Sequence, residues 1–147
     1  MKKVLSIIFG IMLFALLHCP EIALSGENTM KIHIEVGEKT LIATLADNSS
    51  ARALAELLSK GPIIVNMHDY GNMEKVGPLP TSLPSNDTDL HTLPGDIILY
   101  QGNKFVIYYD TNSWNLTKLG QIDGATKQGL LKILGKGNLN ITLSLSK

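Results

Sequence analysis

Residues 95–109 read GDIILYQGNKFVIYY, and this stretch decides the fold. Two β-branched and aromatic runs, Ile97 to Tyr100 and Phe105 to Tyr109, flank Gln101-Gly102-Asn103-Lys104, whose Gly-Asn pair suits a tight turn with positive φ. The reading is a β-hairpin in the centre of a sheet. Just before it, residues 71–89 read GNMEKVGPLPTSLPSNDTD, a polar segment that Pro78, Pro80 and Pro84 stiffen by fixing φ. The span from Asp69 to Leu93 is therefore expected to be one long loop, about as long as a compact domain tolerates without a function of its own. It is the leading candidate for a binding element, set against a plainer role as a structural lid pinned to the sheet by Leu79 and Leu83.

Outward from the hairpin, an apolar period of two recurs. Ile32, Ile34 and Val36 alternate with Lys31, His33 and Glu35, and Leu41, Ala43 and Leu45 alternate beyond a turn at Gly37-Glu38-Lys39, which predicts a second hairpin. Asp47, Asn48 and Ser49 offer capping oxygens before Ala51, Leu54, Ala55 and Leu58, spaced as one stripe of a short helix that Gly61-Pro62 ends. Ile63 to Met67 reads as a buried strand and Leu116 to Ile122 as another. Asp123 is expected to cap a second helix carrying Leu130, Leu131 and Leu134, stopped by Gly135 and Gly137. Leu139, Ile141, Leu143 and Leu145 form a last alternating strand. Seven or so short strands with two brief helices predict a mainly β fold, a small closed β-barrel whose ends the helices plug.

The N-terminus carries a different signal. Lys2 and Lys3 precede an apolar run from Val4 to Leu17, and Ala23 and Ser25 stand in an A-x-S arrangement before Gly26. This is the pattern of a secretory signal peptide over residues 1–25, with a single mature domain over residues 26–147. The expected location is outside the cytoplasmic membrane: periplasm, cell envelope or medium. The run is shorter than the roughly 20 residues of a membrane-spanning helix, so cleavage is favoured over a retained anchor, and no span is expected afterwards. Lipidation at Cys19 ranks second, because His18 stands where a small residue is needed. Cys19 is the single cysteine, so the mature domain is expected to have neither disulfide nor thiolate metal ligand.

The whole chain has 13 basic and 13 acidic side chains, scattered without runs. A nucleic-acid partner would need clustered cations to displace counterions, and none cluster here. His33, His68 and His91 stand apart with no H-x-x-x-H pair, so neither a metal nor any other cofactor is expected. Glu74, Asp87, Asp89 and Asp96 could converge as carboxylates, although Asp96 after Gly95 suits a turn and Asn86-Asp87-Thr88-Asp89 suits Asx turns. The serines lack a G-x-S-x-G elbow, and no glycine-rich phosphate cradle is present. Tyr108 and Tyr109 must face opposite sides of their strand, so one of them points outward or lines a groove. Trp114, in a polar segment, could overhang a cleft as an apolar wall with an N–H donor. The candidate ligand-binding set is Tyr70, Glu74, Tyr100, Tyr109 and Trp114, with no catalytic residue assigned.

The segments MHDYGNMEKVGPLPTSLPSND, LPGDIILY, FVIYY and KLGQID, in that order behind MKIHIEVGEKTLIATLADN, resemble the bacterial cyclophilin-like family of small barrel proteins, over Met30 to Leu145. The resemblance implies a cyclophilin-type barrel and little about chemistry, since fold does not fix function. It also hints at flavodoxin-type neighbours as partners. True prolyl isomerases of that fold carry a catalytic arginine on a barrel strand, whereas the single arginine here, Arg52, falls on the first predicted helix. The expectation is a non-catalytic module binding a small molecule or peptide of unknown identity, with a prolyl isomerase of the cell envelope as the alternative.

Overall fold

The alternating apolar residues do place one face of each strand inward. The structure, a computed structural model, describes residues 29–146. The signal-peptide reading, the cleavage point near Ser25 and the Cys19 alternative lie outside the described residues. Strands β1 (Lys31–Val36) and β2 (Lys39–Leu45) pair antiparallel across a tight turn in which Gly37 adopts φ 58°. Helix α1 (Ser49–Ser59) follows, its first turn closed by the Asn48 side chain accepting from the Ala51 amide at 2.8 Å. Then come β3 (Ile63–Tyr70), β4 (Glu74–Pro78), β5 (Thr88–Thr92), β6 (Asp96–Tyr100), β7 (Lys104–Tyr108), β8 (Asn112–Ile122), α2 (Lys127–Leu134) and β9 (Leu139–Leu145).

Eight strands run in the order β2-β1-β9-β3-β4-β7-β6-β8, and a β2–β8 pairing closes them into an antiparallel barrel, with β5 added on the outer side of β8. Closure removes sheet edges from all but β5, which is short and carries Asp89 and His91 exposed. Inward residues such as Ile34, Val65, Phe105, Ile107 and Leu143 share one core with Leu54 and Leu58 of α1 and with Leu130 and Leu134 of α2. A helix can reach the interior of a closed barrel only through an open end, so the two helices act as its plugs.

Three expectations need correction. The long loop is largely strand: residues 69–93 contain the end of β3, all of β4, and β5, raising the strand count from seven or so to nine. Strand β4 shows no apolar alternation because its inward positions are Lys75 and Gly77. Gly77 is required by proximity, since a Cβ there would stand 2.3 Å from the Asn66 carbonyl oxygen on β3. Second, β8 starts at Asn112, four residues before Leu116, because its first half pairs with β5 and its second half with β6. Third, α2 is capped by Thr126, whose hydroxyl accepts from Gly129. The Asp123 carboxylate is instead taken up by Lys31 at 2.6 Å and the Thr44 hydroxyl at 2.7 Å.

What remains of the loop, Leu79 to Asp87, is fastened to the barrel. The amides of Leu79 and Leu83 donate to the carbonyls of Asn103 and Gly102 at 2.8 and 2.7 Å, and both leucines are buried in the core. Ser50 of α1 donates to the Pro84 carbonyl, Asn86 donates to the hydroxyls of Ser49 and Ser50, and Thr117 donates to Asp87. These bonds give this segment the part of a structural closure beside α1.

Candidate functional site

Alternation along the barrel strands sends a second set of side chains outward, and these build a groove. Glu74 on β4 lies opposite Tyr108 on β7, so the carboxyl and the phenol are neighbours on the outer face. Val76, Ile98, Val106, Tyr108 and Leu116 form an apolar cluster there, separate from the barrel core. The β3–β4 turn brings Tyr70 and Met73 to one side, while Asn112 and Trp114 on the first half of β8 form the other. Tyr100 at the end of β6 completes the wall. The resulting recess has a volume of about 300 Å³ and is lined by Tyr70, Met73, Glu74, Tyr100, Val106, Tyr108, Asn112, Trp114 and Leu116.

The polar equipment of the groove is small and specific. Glu74 is only 7% exposed. Burial pushes its pKa above the ordinary 4.5, while the Tyr108 hydroxyl and the charge of His68 pull the other way. The Tyr108 phenol is likewise driven up, first by burial and then by Glu74, and its oxygen accepts from the Asn112 amide at 3.2 Å. Among the described residues no Lys, Arg or His lines the recess. Around this floor stand Tyr70 and Trp114, each 62% exposed.

Of the five candidate residues, the fold therefore brings Tyr70, Glu74, Tyr100 and Trp114 to one recess. Tyr109 is placed elsewhere: it is the inward member of its pair, buried in the barrel core, and Tyr108 is the one that faces the groove. Both flanking residues, Val106 and Ile107, are apolar and buried, so hydrophobicity could not reveal which face of β7 was inside. The parity would have followed from pairing β4 with β7, but Lys75 and Gly77 concealed β4. Met73 and Asn112 carry no sequence signal for the related reason that the β3–β4 turn and the start of β8 have the polar composition of loops.

Tyr109 belongs instead to a polar network inside one end of the barrel. Lys75, with no side-chain exposure, places its ammonium 2.8 Å from Asp69 Oδ1 and donates to the Gly137 carbonyl at 2.6 Å. The Gly137 amide donates to Asp69 Oδ2 at 2.7 Å, and the Tyr109 hydroxyl reaches Asp69 Oδ1 at 3.3 Å. The Lys75 hydrogen bond holds the Asp69 carboxyl below its ordinary 3.8, and burial pushes the Tyr109 phenol up. This network clamps the α2–β9 connection onto the barrel.

The other candidate groups disperse. Asp87 is held by Thr117, Asp89 is exposed on β5, and Asp96 is buried, its Oδ2 accepting from the Leu93 amide at 2.9 Å. Asp96 Oδ1 lies 3.0 Å from the Lys118 ammonium yet lacks an aligned hydrogen bond. We read the contact as an ion pair of imperfect geometry, because the distance lies well inside Coulombic reach. The four acids thus share no site. His33 contacts the Ser146 hydroxyl, His91 contacts that of Ser113, and His68 is exposed. Arg52 is exposed on α1, where it pairs with Asp47.

Comparison with known proteins agrees with this architecture. The model of the cyclophilin-like family matches residues 34–145. The chain belongs to the cyclophilin-like family. Among curated proteins none matches it. A solved structure similar to this cyclophilin-like protein is the solution structure of a hypothetical protein from Archaeoglobus fulgidus. The likeness covers 82% of this chain and 99% of that one, at a TM-score of 0.62 and 16% identity. At that identity the likeness establishes the barrel and carries no chemistry.

Proposed function

We propose that this cyclophilin-like chain is an exported, non-catalytic binding module whose ligand, a small molecule or short peptide segment, sits in the outer groove over Glu74. One observation carries the reading: two aromatic rings stand mostly in water beside a recess whose floor is an almost fully buried acid and a phenol. Rigid aromatic walls with a few convergent polar groups are the usual make-up of a ligand pocket. Exposed Trp and Tyr are also enriched where partners bind, because each offers a large apolar face and a polar tip. The export part rests on Lys2, Lys3 and the apolar run behind them.

Prolyl isomerisation gains no support from the groove, since no arginine lines it and Arg52 is engaged on α1. Trp114 is the single tryptophan, so its fluorescence reports on the site directly. Across a panel of small molecules and short peptides, at least one compound is expected to shift the emission and raise the melting temperature. Saturation to 100 times Kd would add about 2.7 kcal/mol. Trp114→Ala should weaken that compound while changing stability by no more than about 0.5 kcal/mol, as for an exposed surface residue. Emission and melting temperature that stay fixed across the panel would reduce the groove to a feature of packing.

A further inference from the structure

The groove is unusual in its charge. Among the described residues its lining holds one acid, Glu74, and no base. Among the described residues the Glu74 carboxyl forms no ion pair, although the five pairs found elsewhere engage Asp47, Asp69, Asp96, Asp110 and Asp123. A residue that is 7% exposed and whose carboxylate has no ion-pair partner is costly to keep charged, because burial in low dielectric disfavours the charged form. Its fixed neighbours are the Tyr108 phenol and, through Tyr108, the Asn112 amide. Both can donate to an oxygen, but neither brings a charge.

The walls add a second preference. Tyr70, Tyr100 and Trp114 present aromatic rings to the same space. A ring face is the negative pole of its quadrupole, so it attracts a cation within about 6 Å, and Trp does so best. The recess would thus present negative potential from its floor and from its walls, offset only by the exposed His68 on β3, whose charge reaches Glu74 from outside the lining. Its volume of about 300 Å³ lies at the lower end of ligand pockets, which suits a compact headgroup better than an extended ligand. A carboxylate or phosphate ligand would meet Glu74 with like charge and find no Lys or Arg to receive it.

We propose that the groove receives the ammonium head of an organic cation, with Glu74 as its counter-charge and the rings of Tyr70, Tyr100 and Trp114 as its walls. The inference rests on the groove being a binding site and adds the chemical class of what it binds. Such a head can arrive on a free amine or on a lysine side chain of a peptide, and the chemistry recognised is the same.

The test uses choline, its neutral carbon isostere 3,3-dimethylbutanol, and N-acetyl-lysine methylamide with and without trimethylation, each titrated into the protein with Trp114 emission and calorimetry as readouts. Choline should bind at least tenfold more tightly than the isostere. Glu74→Gln should erase that ratio while leaving the weak binding of the isostere in place, and Asp89→Asn, an exposed acid outside the groove, should leave the ratio unchanged. Tighter binding of a lysine derivative than of choline assigns the head to a peptide, and the reverse order assigns it to a free amine. Equal binding of choline and the isostere would overturn the cation inference while keeping the groove as a binding site. Binding of none of the four, together with silence across the panel of small molecules and short peptides, would overturn both. The comparison of choline with its isostere needs only the unmodified protein, so it stands even if Glu74→Gln fails to fold.

Discussion

Replacing Lys75 by methionine keeps the apolar stem inside the barrel but deletes an ammonium that has no side-chain exposure and makes two charge-assisted contacts. Each such bond contributes about 1.5–3 kcal/mol, and breaking a buried ion pair from one side costs about 3–5 kcal/mol. Two effects reduce that figure. The Asp69 side chain is 32% exposed, so it regains water, and it keeps the Gly137 amide and the Tyr109 hydroxyl as donors. The expected loss is therefore about 2–4 kcal/mol, read as a lower urea midpoint by far-ultraviolet circular dichroism at unchanged m value. A double-mutant cycle with Asp69→Asn should give a coupling above about 1 kcal/mol, since the groups are in contact. The same variant should lose part of its acid sensitivity. Asp69 has its folded pKa lowered from 3.8, so it stabilises the protein above that pH and loses this as pH falls through the lowered value. A Lys75→Met protein as stable as the parent to within about 0.5 kcal/mol, with zero coupling to Asp69, would refute the clamp at the barrel end.

Two further outcomes follow from single residues. Gly77→Ala places a Cβ 2.3 Å from the Asn66 carbonyl oxygen and 2.7 Å from a Val65 methyl; forcing β3 and β4 apart should cost about 1–3 kcal/mol, as overpacking does, and a variant with unchanged urea midpoint would mean the strands are not so close. Glu74 has its folded pKa raised by burial, so the folded state holds its proton longer than the unfolded chain and stability falls as pH rises from 4.5 through the raised value. In Glu74→Gln that decline is absent, and its melting temperature should gain on the parent's as pH climbs from below 4.5 to neutrality; a constant difference across that range would remove the desolvation argument.

The sequence made most of the barrel readable, because Ile32 to Leu45 and Leu139 to Leu145 repeat apolar residues at the period of a strand, and Ile97 to Tyr109 joins two β-branched and aromatic runs across a Gly-Asn turn. Reading stopped where the inward position was filled by something other than an apolar side chain. In β4 those positions are a lysine whose charge is met by Asp69 and a glycine demanded by the closeness of β3, both cross-strand facts that no apolar periodicity records. Capping of α2 failed on similar grounds: Asp123 has the right chemistry for an N-cap, but Lys31 and Thr44, far away in the chain, engage it. The groove was legible as chemistry, in the exposed aromatics and Glu74, and illegible as geometry. Its assembly depends on the register that sets Glu74 beside Tyr108.

We propose the outward face of β4, β6, β7 and β8 as the place where this protein meets its ligand. Mapping amide resonance changes during titration with tetramethylammonium tests it most directly. Shifts should concentrate at Tyr70, Met73, Glu74, Tyr108, Asn112 and Trp114, leaving the amides of Gly137 and Leu83 in place. Shifts gathered instead at the barrel end around Gly137, or spread evenly over the surface, would contradict it.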